Sequence, residues 1–314
     1  MSYEKPDHSN WQGRKSDNKE YWHEIVSCIE LSNLSRPEMT SSAILGYASD
    51  EGVRRNHGRI GAKLGPDEIR KRLAKLSNHP GLFHSIADVG NVACRDQDME
   101  GAHKELAEAV YQILNNGYFP VLLGGGHDIA YAHYSGLRQF LGDKSIGIVN
   151  LDAHFDLRTT EGQGTSGTPF YQIASDCRAH GHDFRYLCLG VQPLSNVPSL
   201  YQTAADLKAE YIERKEFSIE RIEAVRQKLW NFVNSVENIY LTIDMDGFSA
   251  AVSPGVSAPS SFGFNTDIAL AIIDLLMDSG KVVSMDVAEA NPRYDVDGQT
   301  TRLAACLIAY AFRR

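Results

Sequence analysis

The 314-residue chain has few cysteines, no long hydrophobic run and no excess of positive charge. Its five cysteines are widely scattered without a C-x-x-C pair, which argues against a disulfide framework and against a thiolate zinc site. No apolar run approaches the ~18 residues of a membrane span, and the polar N-terminus lacks the apolar region of a signal peptide. These absences predict a soluble protein of a reducing compartment, and we expect it in the cytoplasm.

The charge balance limits the kinds of partner. The chain has 31 Lys and Arg against 40 Asp and Glu, a formal net charge of −9, and no basic patch. Nucleic acid and anionic membranes are therefore not expected partners, because polyanions are repelled by a net anion. No internal repeat or Pro/Gly/Ser linker divides the chain. We expect residues 1–37 to form an N-terminal extension packed on the main body and residues 38–314 to form a single domain.

Short apolar runs recur from Ala43 onward, each followed by a polar or glycine-rich turn and then by a longer amphipathic stretch. This alternation is typical of βα units and predicts an α/β fold with a parallel sheet. Six runs are predicted strands: Ala43–Tyr47, Tyr118–Leu123, Ser145–Leu151, Arg185–Leu189, Asn238–Ile243 and Lys281–Val287. Two apolar stripes with helical spacing are predicted helices: Ala102, Leu106, Val110 and Ile113, and then Ala269, Ile272, Ile273, Leu276 and Met277, with Asn265 and Thr266 as available caps.

Polar clusters follow four of these apolar runs. They read G-G-G-H-D at 124–128, D-A-H-F-D at 152–156, D-M-D at 244–246 and D-V-A-E at 286–289. Ligands of an open parallel sheet bind beyond the carboxyl ends of its strands, so we expect these clusters to share one site. Each motif alone is also typical of a loop, a turn or a helix cap. Their joint occurrence behind β-like runs favours a functional site.

The residue types of the clusters point to metal ions. Side chains two residues apart in an extended segment point to one side, so the carboxylates converge and would repel one another unless cations neutralised them. Two ions bridged by carboxylates use six ligands better than one ion does, and such a pair activates a water for hydrolysis. The carboxylate-rich set favours manganese, although zinc, iron and cobalt stay open. The six candidate ligands are His127, Asp152, His154, Asp156, Asp244 and Asp246.

In order and approximate spacing, the four motifs resemble those of the arginase/agmatinase (ureohydrolase) family over nearly the whole chain. The resemblance implies a three-layer α/β/α sandwich with a mainly parallel eight-stranded sheet, two Mn²⁺ ions per subunit and a homo-oligomer. It also implies that Asp152 and Asp244 bridge the two ions. One ion would take His127, Asp152, Asp156 and Asp244, and the other Asp152, His154, Asp244 and Asp246.

Departures from the arginase pattern make the chain similar to the formimidoylglutamase branch, which releases glutamate and formamide in histidine breakdown. Gly126 and Asp128 flank His127, where arginases and agmatinases have Asp and then Ser or Thr. The sequence after Asp246 also differs from that of arginases and agmatinases, which usually continue to Asp-Pro. The branch resemblance implies N-formimidoyl-L-glutamate as a small-molecule substrate. It extends to Ser49–Asn56, Gly58–Pro66, Arg158, Ser166–Phe170 and Trp11-x-Gly-Arg14.

Two carboxylates on such a substrate call for arginine forks. Arg158 lies just beyond the metal motif, and Arg55, Arg59 and Arg293 lie in loops expected at the same rim. Arg55 and Arg59 have an alternative role, bracing nearby acids or a helix end. We predict Arg158, Arg59 and Arg55 as substrate-binding residues.

Two acids are the predicted catalytic residues. By resemblance, Glu289 lies near the metal site, where it would bind the amidinium nitrogens. Asp156 would hold the nucleophilic hydroxide and pass its proton to the departing amine. Residues 166–170, which align with a proton-shuttling histidine of arginases, contain no histidine. His133 is expected to be a packing or surface residue and not a metal ligand. Asp128 is expected to be either a partner behind the site or an acid at a helix N-terminus.

Two rival hypotheses remain at this point. The chain could be another ureohydrolase, an agmatinase or a guanidino-acid hydrolase that releases urea. It could also be an inactive, metal-free relative that serves as a binding protein, although such a relative is expected to lose ligands and all six are present here.

Overall fold

All six predicted strands are found in one sheet of the structure, a computed structural model that describes residues 2–79, 85–160 and 162–313. Within these ranges the sheet has ten strands: β1 Tyr3–Glu4, β2 Val26–Cys28, β3 Ser41–Ala48, β4 Ser85–Ala93, β5 Tyr118–Leu123, β6 Ile146–Leu151, β7 Arg185–Val191, β8 Glu210–Glu213, β9 Asn238–Asp244 and β10 Val282–Ala288.

Nine α-helices connect the strands in the described part of the chain. They are α1 Glu51–Arg55, α2 Gly65–Leu73, α3 Met99–Asn115, α4 Ile129–Leu141, α5 Pro169–His180, α6 Pro198–Asp206, α7 Ile222–Asn234, α8 Thr266–Asp278 and α9 Gln299–Ala311. The two predicted helical stripes are the buried faces of α3 and α8, except that Met277 is only half-buried. Asn265 occupies the N-cap position of α8, but its side chain makes no capping hydrogen bond.

Eight strands form the parallel sheet that the family resemblance implies. Their order is β4-β3-β5-β10-β9-β6-β7-β8, and every neighbouring pair is parallel. The two additional strands come from the N-terminal segment: β1 pairs antiparallel and β2 pairs parallel with the outer edge of β4.

Apolar side chains cover both faces of the sheet and make three layers. One core packs α2, α7, α8 and α9 against the sheet, and the other packs α3, α4, α5 and α6 against the opposite face. The predicted three-layer α/β/α sandwich is therefore confirmed. Among the described residues, no helix combines the length and the apolar character that a membrane crossing requires.

The sequence pattern did not reveal β4, because a charged residue interrupts the apolar run of this strand. Asp88, in the middle of β4, is fully buried and forms an ion pair with Arg70 of α2 at 2.9 Å. Its second oxygen accepts a hydrogen bond from the indole Nε1 of Trp11 at 2.7 Å. The same buried carboxylate therefore ties the N-terminal segment and α2 to the edge of the sheet.

Replacing Arg70 by Met should lower the free energy of unfolding by about 3–5 kcal/mol, because it leaves the carboxylate of Asp88 buried without its cation. Urea denaturation of the purified protein measures this change. Arg226→Met is the matched control, since Arg226 forms an exposed ion pair with Glu223, which contributes about 0.3–0.5 kcal/mol. Equal losses in the two variants would contradict the role assigned to Arg70.

Candidate active site

The four strands that carry the polar clusters, β5, β10, β9 and β6, are consecutive neighbours at the centre of the sheet. Because they are parallel, their carboxyl ends meet at one edge, and the six predicted ligands are brought together there. Their donor atoms form two groups, each within 4.8 Å, that share Asp152: His127, Asp152, Asp156 and Asp244, and then Asp152, His154 and Asp246. The resemblance also implied Asp244 in the second group, whereas the geometry places it only in the first.

Both imidazoles face the carboxylates with the same ring nitrogen. Nδ1 of His127 lies 2.9 Å from an oxygen of Asp156, 2.9 Å from one of Asp244 and 3.3 Å from one of Asp152. Nδ1 of His154 lies 3.2 Å from Asp246 and 3.4 Å from Asp152. The two nitrogens and four carboxylates thus enclose a small, oxygen-rich space.

Hydrogen bonds with nearby backbone and amide groups hold the carboxylates in place. The backbone N–H of His154 donates to Oδ1 of Asp152 at 2.7 Å, and the Asn150 amide donates to its Oδ2 at 3.0 Å. The N–H of Asp246 donates in the same way to Oδ1 of Asp244 at 2.8 Å. These bonds fix the carboxylate planes. In both the D-x-H and the D-x-D motif, the backbone N–H two residues after the first Asp orients the carboxylate of that Asp.

Unusual backbone geometry surrounds the cluster. Asp156 and Glu289, the two predicted catalytic acids, have left-handed backbone angles, φ 49° and 63°. Such residues cost about 1–3 kcal/mol each and concentrate at functional sites. In the loop before His127, a Cβ at Gly125 would lie 1.7 Å from the carbonyl oxygen of Ser49. Only glycine lets the two segments approach this closely.

The residue after His127 is a buried acid. Asp128 accepts hydrogen bonds from the hydroxyl of Tyr47 at 2.7 Å and from Nε2 of His103 at 3.1 Å. A Cβ at Gly126 would lie only 2.6 Å from its Oδ1. Both expected positions are found: the carboxylate is a hydrogen-bonding partner behind the site, and Asp128 is at the N-cap of α4, although its side chain makes no capping hydrogen bond.

Burial and mutual repulsion oppose ionisation of the clustered acids. Burial raises the pKa of Asp244 well above its ordinary value, and the neighbouring Asp246 and Asp152 raise it further. Burial likewise raises the pKa of Asp246 to about 6, with His154 opposing the shift. Cations between the carboxylates would remove this penalty. The set also leaves Nδ1 of His127 buried without a hydrogen-bonding partner, so these residues fit a pair of divalent metal ions.

Metal-stripped protein should lose stability as pH rises from about 4 to about 8. A carboxyl such as Asp246 keeps its proton in the folded chain after the unfolded chain has lost it, so the free energy of unfolding falls as pH rises. His127 and His154, whose carboxylate neighbours outweigh burial and raise the pKa, act with the same sign, and Asp152, whose pKa is lowered, opposes it.

Thermal unfolding after chelation, with and without added Mn²⁺, measures this dependence. At 100 times its dissociation constant, each bound ion should add about 2.7 kcal/mol. At one fixed Mn²⁺ concentration the gain should be larger at pH 8 than at pH 5.5, because protons compete with the ions for the carboxylates and imidazoles. A stability that rises with pH over this range in the stripped protein would contradict the electrostatic account.

A cavity of about 320 Å³ opens onto the cluster. Two of the predicted arginines, Arg158 and Arg59, line it. Arg59 is already engaged: its guanidinium donates to the carbonyl oxygens of Val256 and Ser257 and lies over the ring of Tyr294. The guanidinium of Arg158 has no hydrogen-bonding or ionic partner among the described residues.

Arg55 lies outside this cavity. Its guanidinium binds Glu51 at 2.9 Å and Glu100 at 2.5 Å, which is the bracing alternative raised by the sequence. Arg293 is also absent from the cavity lining. Arg158 is thus the predicted arginine that both reaches the cavity and is free to bind an anion.

Sequence reasoning missed several cavity residues. His57, with a left-handed φ of 59°, comes from the loop after α1, and Ser195 and Asn196 come from the segment after β7. The rule that sites form beyond strand ends could have found the last two, because they follow a predicted strand. His133 is fully buried, which agrees with the packing role expected of it.

Comparison with known proteins identifies the family of this chain. A sequence model of the arginase family matches residues 40–313. The chain belongs to the arginase family. Among curated arginase-family relatives, the formimidoylglutamase of Chromobacterium violaceum is 43% identical over 301 residues, covering 95% of each chain.

Solved structures agree with this arginase-family membership. The Trypanosoma cruzi formiminoglutamase with Mn²⁺ aligns with a TM-score of 0.77 and 27% identity, covering 91% of this chain and 97% of that one. The formimidoylglutamase of Bacillus subtilis has a TM-score of 0.81 at 21% identity, covering 96% and 93%, and supports the fold alone.

Proposed function

We propose that this chain hydrolyses N-formimidoyl-L-glutamate to L-glutamate and formamide, as a step of histidine degradation, with two Mn²⁺ ions as cofactors. One observation carries the proposal: Glu289 and Arg158 line one cavity beside the His/Asp cluster, and within the described part of the chain an oxygen of that buried carboxylate and that guanidinium have no partner. An amidine with two carboxylates matches this arrangement. The 43% identity to a formimidoylglutamase supports the same substrate.

The metal ions would be held by the six residues of the cluster. His127, Asp156 and Asp244 would hold one ion and His154 and Asp246 the other, and Asp152 belongs to both donor groups. When bound, the ions supply a water activated for nucleophilic attack at neutral pH.

Glu289 binds the amidinium group. Its Oε1 accepts a hydrogen bond from the backbone N–H of His127 at 2.9 Å, and its buried Oε2 has no partner among the residues described. Burial, reinforced by Asp244, raises the pKa of Glu289 well above its ordinary value. A cationic amidinium beside Oε2 favours the ionised carboxylate and gains a charge-assisted hydrogen bond. The substrate is thereby held with its central carbon toward the cluster.

Asp156 is the proton carrier. Burial, with Asp152 adding to it, raises the pKa of Asp156, which brings it closer to neutral pH and suits a general base that later acts as an acid. The carboxyl accepts the proton of the attacking water and returns it to the glutamate nitrogen as the C–N bond breaks. The remaining hydroxyl proton is lost as the carbonyl of formamide forms and is taken up by the released amine, so the products are formamide and the ammonium form of glutamate.

Arg158 binds the carboxylates of the substrate. Replacing it by Ala should raise KM about 10- to 100-fold with little change in kcat, because a hydrogen bond to a charged group contributes about 1.5–3 kcal/mol. Steady-state kinetics measures KM and kcat separately. Arg178→Ala, an exposed arginine away from the cavity, serves as the control. An unchanged KM in Arg158→Ala would refute this role.

Product analysis tests the proposed function directly. Manganese-loaded protein is incubated separately with N-formimidoyl-L-glutamate, agmatine and guanidino acids, and formamide and urea are quantified. Formamide and glutamate in equal amounts from the first substrate are expected. Urea from agmatine or a guanidino acid without formamide would replace this proposal with another ureohydrolase activity. Absence of both products together with absence of bound metal would indicate a binding protein.

A further inference from the structure

A buried chain of hydrogen bonds lies behind His127, on the side away from the cavity. Nε2 of His127 lies 3.0 Å from the hydroxyl of Thr242 on β9, and that hydroxyl lies 2.6 Å from Oδ1 of Asp286 on β10. The second oxygen of Asp286 accepts from the hydroxyl of Tyr240 and from Nδ1 of His133, the latter at 2.6 Å. All five side chains are buried, and the proposed mechanism uses only His127 among them.

Counting protons along this chain fixes the tautomer of His127. A carboxylate only accepts hydrogen bonds, so the 2.6 Å contact with Oδ1 of Asp286 requires the single proton of the Thr242 hydroxyl. Toward His127 the hydroxyl oxygen can then only accept. Nε2 of His127 must therefore carry the proton that it donates to Thr242.

The consequence appears at the other ring nitrogen. A histidine that binds a metal ion is neutral, and in the neutral ring with its single proton on Nε2 the Nδ1 lone pair points toward Asp156 and Asp244, whose oxygens lie 2.9 Å away. Among the described residues, Nδ1 is also a buried atom without a hydrogen-bonding partner. A lone pair among carboxylates is the form that binds a cation. The other imidazole of the cluster, His154, has a 24% exposed side chain, so solvent reaches it.

From this geometry we infer that Thr242 and Asp286 are positioning residues that hold His127 in the tautomer and orientation needed to bind one of the two metal ions. We expect their action on metal affinity to be confined to the ion held by His127, because within the described residues their side-chain hydrogen bonds join them to His127, His133, Tyr240 and each other, and none joins them to His154 or Asp246. The inference rests on the proposed metal-dependent function, and the test therefore reads metal binding separately from turnover.

The test uses full-length protein from which metal has been removed. Thr242→Val and Thr242→Ala both remove the hydroxyl, whereas Thr242→Ser keeps it and loses only a methyl group. Mn²⁺ binding is titrated calorimetrically, and electron paramagnetic resonance distinguishes coupled pairs of ions from single ones. Tyr240→Phe is the matched control, since it removes a donor to the other oxygen of Asp286. Unfolding temperatures verify that each variant is folded.

We expect one of the two ions to bind 10- to 100-fold more weakly in the Val and Ala variants, the range typical of losing such an outer partner. The resonance signal should change from coupled pairs to single ions at intermediate Mn²⁺ concentrations. Thr242→Ser and Tyr240→Phe should bind both ions with nearly parental affinity.

Each contrary result has a distinct meaning. Parental affinity in the two hydroxyl-free variants would overturn the inference, as would a Ser variant as weak as Ala, which would assign the effect to packing. Equal weakening of both ions would overturn its restriction to His127. A parent protein that binds both ions but releases no formamide would instead contradict the proposed function and leave the positioning result standing.

Discussion

Replacing Glu289 by Gln is expected to lower kcat/KM for N-formimidoyl-L-glutamate by about 30- to 3,000-fold. Truncating one partner of a buried, hydrogen-bonded charge pair costs about 2–5 kcal/mol, and each 1.4 kcal/mol is a factor of ten. The amide of Gln keeps an oxygen for the backbone N–H of His127, so the loop before α4 should be preserved. The change removes only the negative charge and the free acceptor that face the substrate.

Steady-state kinetics, with metal content measured on the same samples, checks this result. Bound Mn²⁺ should equal that of the parent, because Glu289 is not among the candidate ligands. Glu108→Gln, on the exposed face of α3, controls for the loss of one acidic charge. Activity within threefold of the parent would show that the amidinium is held by another group.

The second large effect is expected from Asp244→Asn. Asp244 contributes to the donor group of His127, Asp152 and Asp156, and Asn can still accept the hydrogen bond from the N–H of Asp246. The substitution therefore preserves local geometry while removing a charged ligand. We expect loss of at least one bound ion and a fall in kcat of more than about a thousandfold, since such ions supply several kcal/mol to the transition state.

Metal analysis after dialysis and single-substrate kinetics test this prediction together. Asp143→Asn, an exposed turn residue after α4, is the matched control. Two tightly bound ions and parental kcat in Asp244→Asn would remove Asp244 from the ligand set. Loss of metal without loss of activity would contradict metal-assisted hydrolysis itself.

The sequence was informative wherever a structural rule acts over a few neighbouring residues. Apolar runs with helical or strand spacing located six strands, α3 and α8, because burial of one face imposes that spacing. The D-x-H and D-x-D motifs were recognisable because each cluster is local and follows its own strand. The arrangement of β5, β10, β9 and β6 as neighbours then brought these clusters together.

Other features depend on partners that are distant in the chain. Asp88 interrupts the pattern of β4, and its buried charge is compensated by Arg70 and Trp11 from separate segments. The arginines looked alike in the sequence, yet Arg55 binds Glu100, whereas Arg158 lines the cavity without a hydrogen-bonding or ionic partner in the ranges that the structure describes. Which guanidinium is available is decided by tertiary contacts that sequence spacing does not encode.

The contact between the two residues that flank His127 also restricts how this site could change during evolution. Arginases and agmatinases have Asp before the motif histidine, whereas this chain has Gly126 at that position. Here a Cβ at that position would lie 2.6 Å from Oδ1 of Asp128, so any side chain there requires the Asp128 carboxylate to move. The residues at positions 126 and 128 are therefore coupled: a side chain at 126 requires either a different residue at 128 or a shifted Asp128 carboxylate, with loss of its hydrogen bonds to Tyr47 and His103.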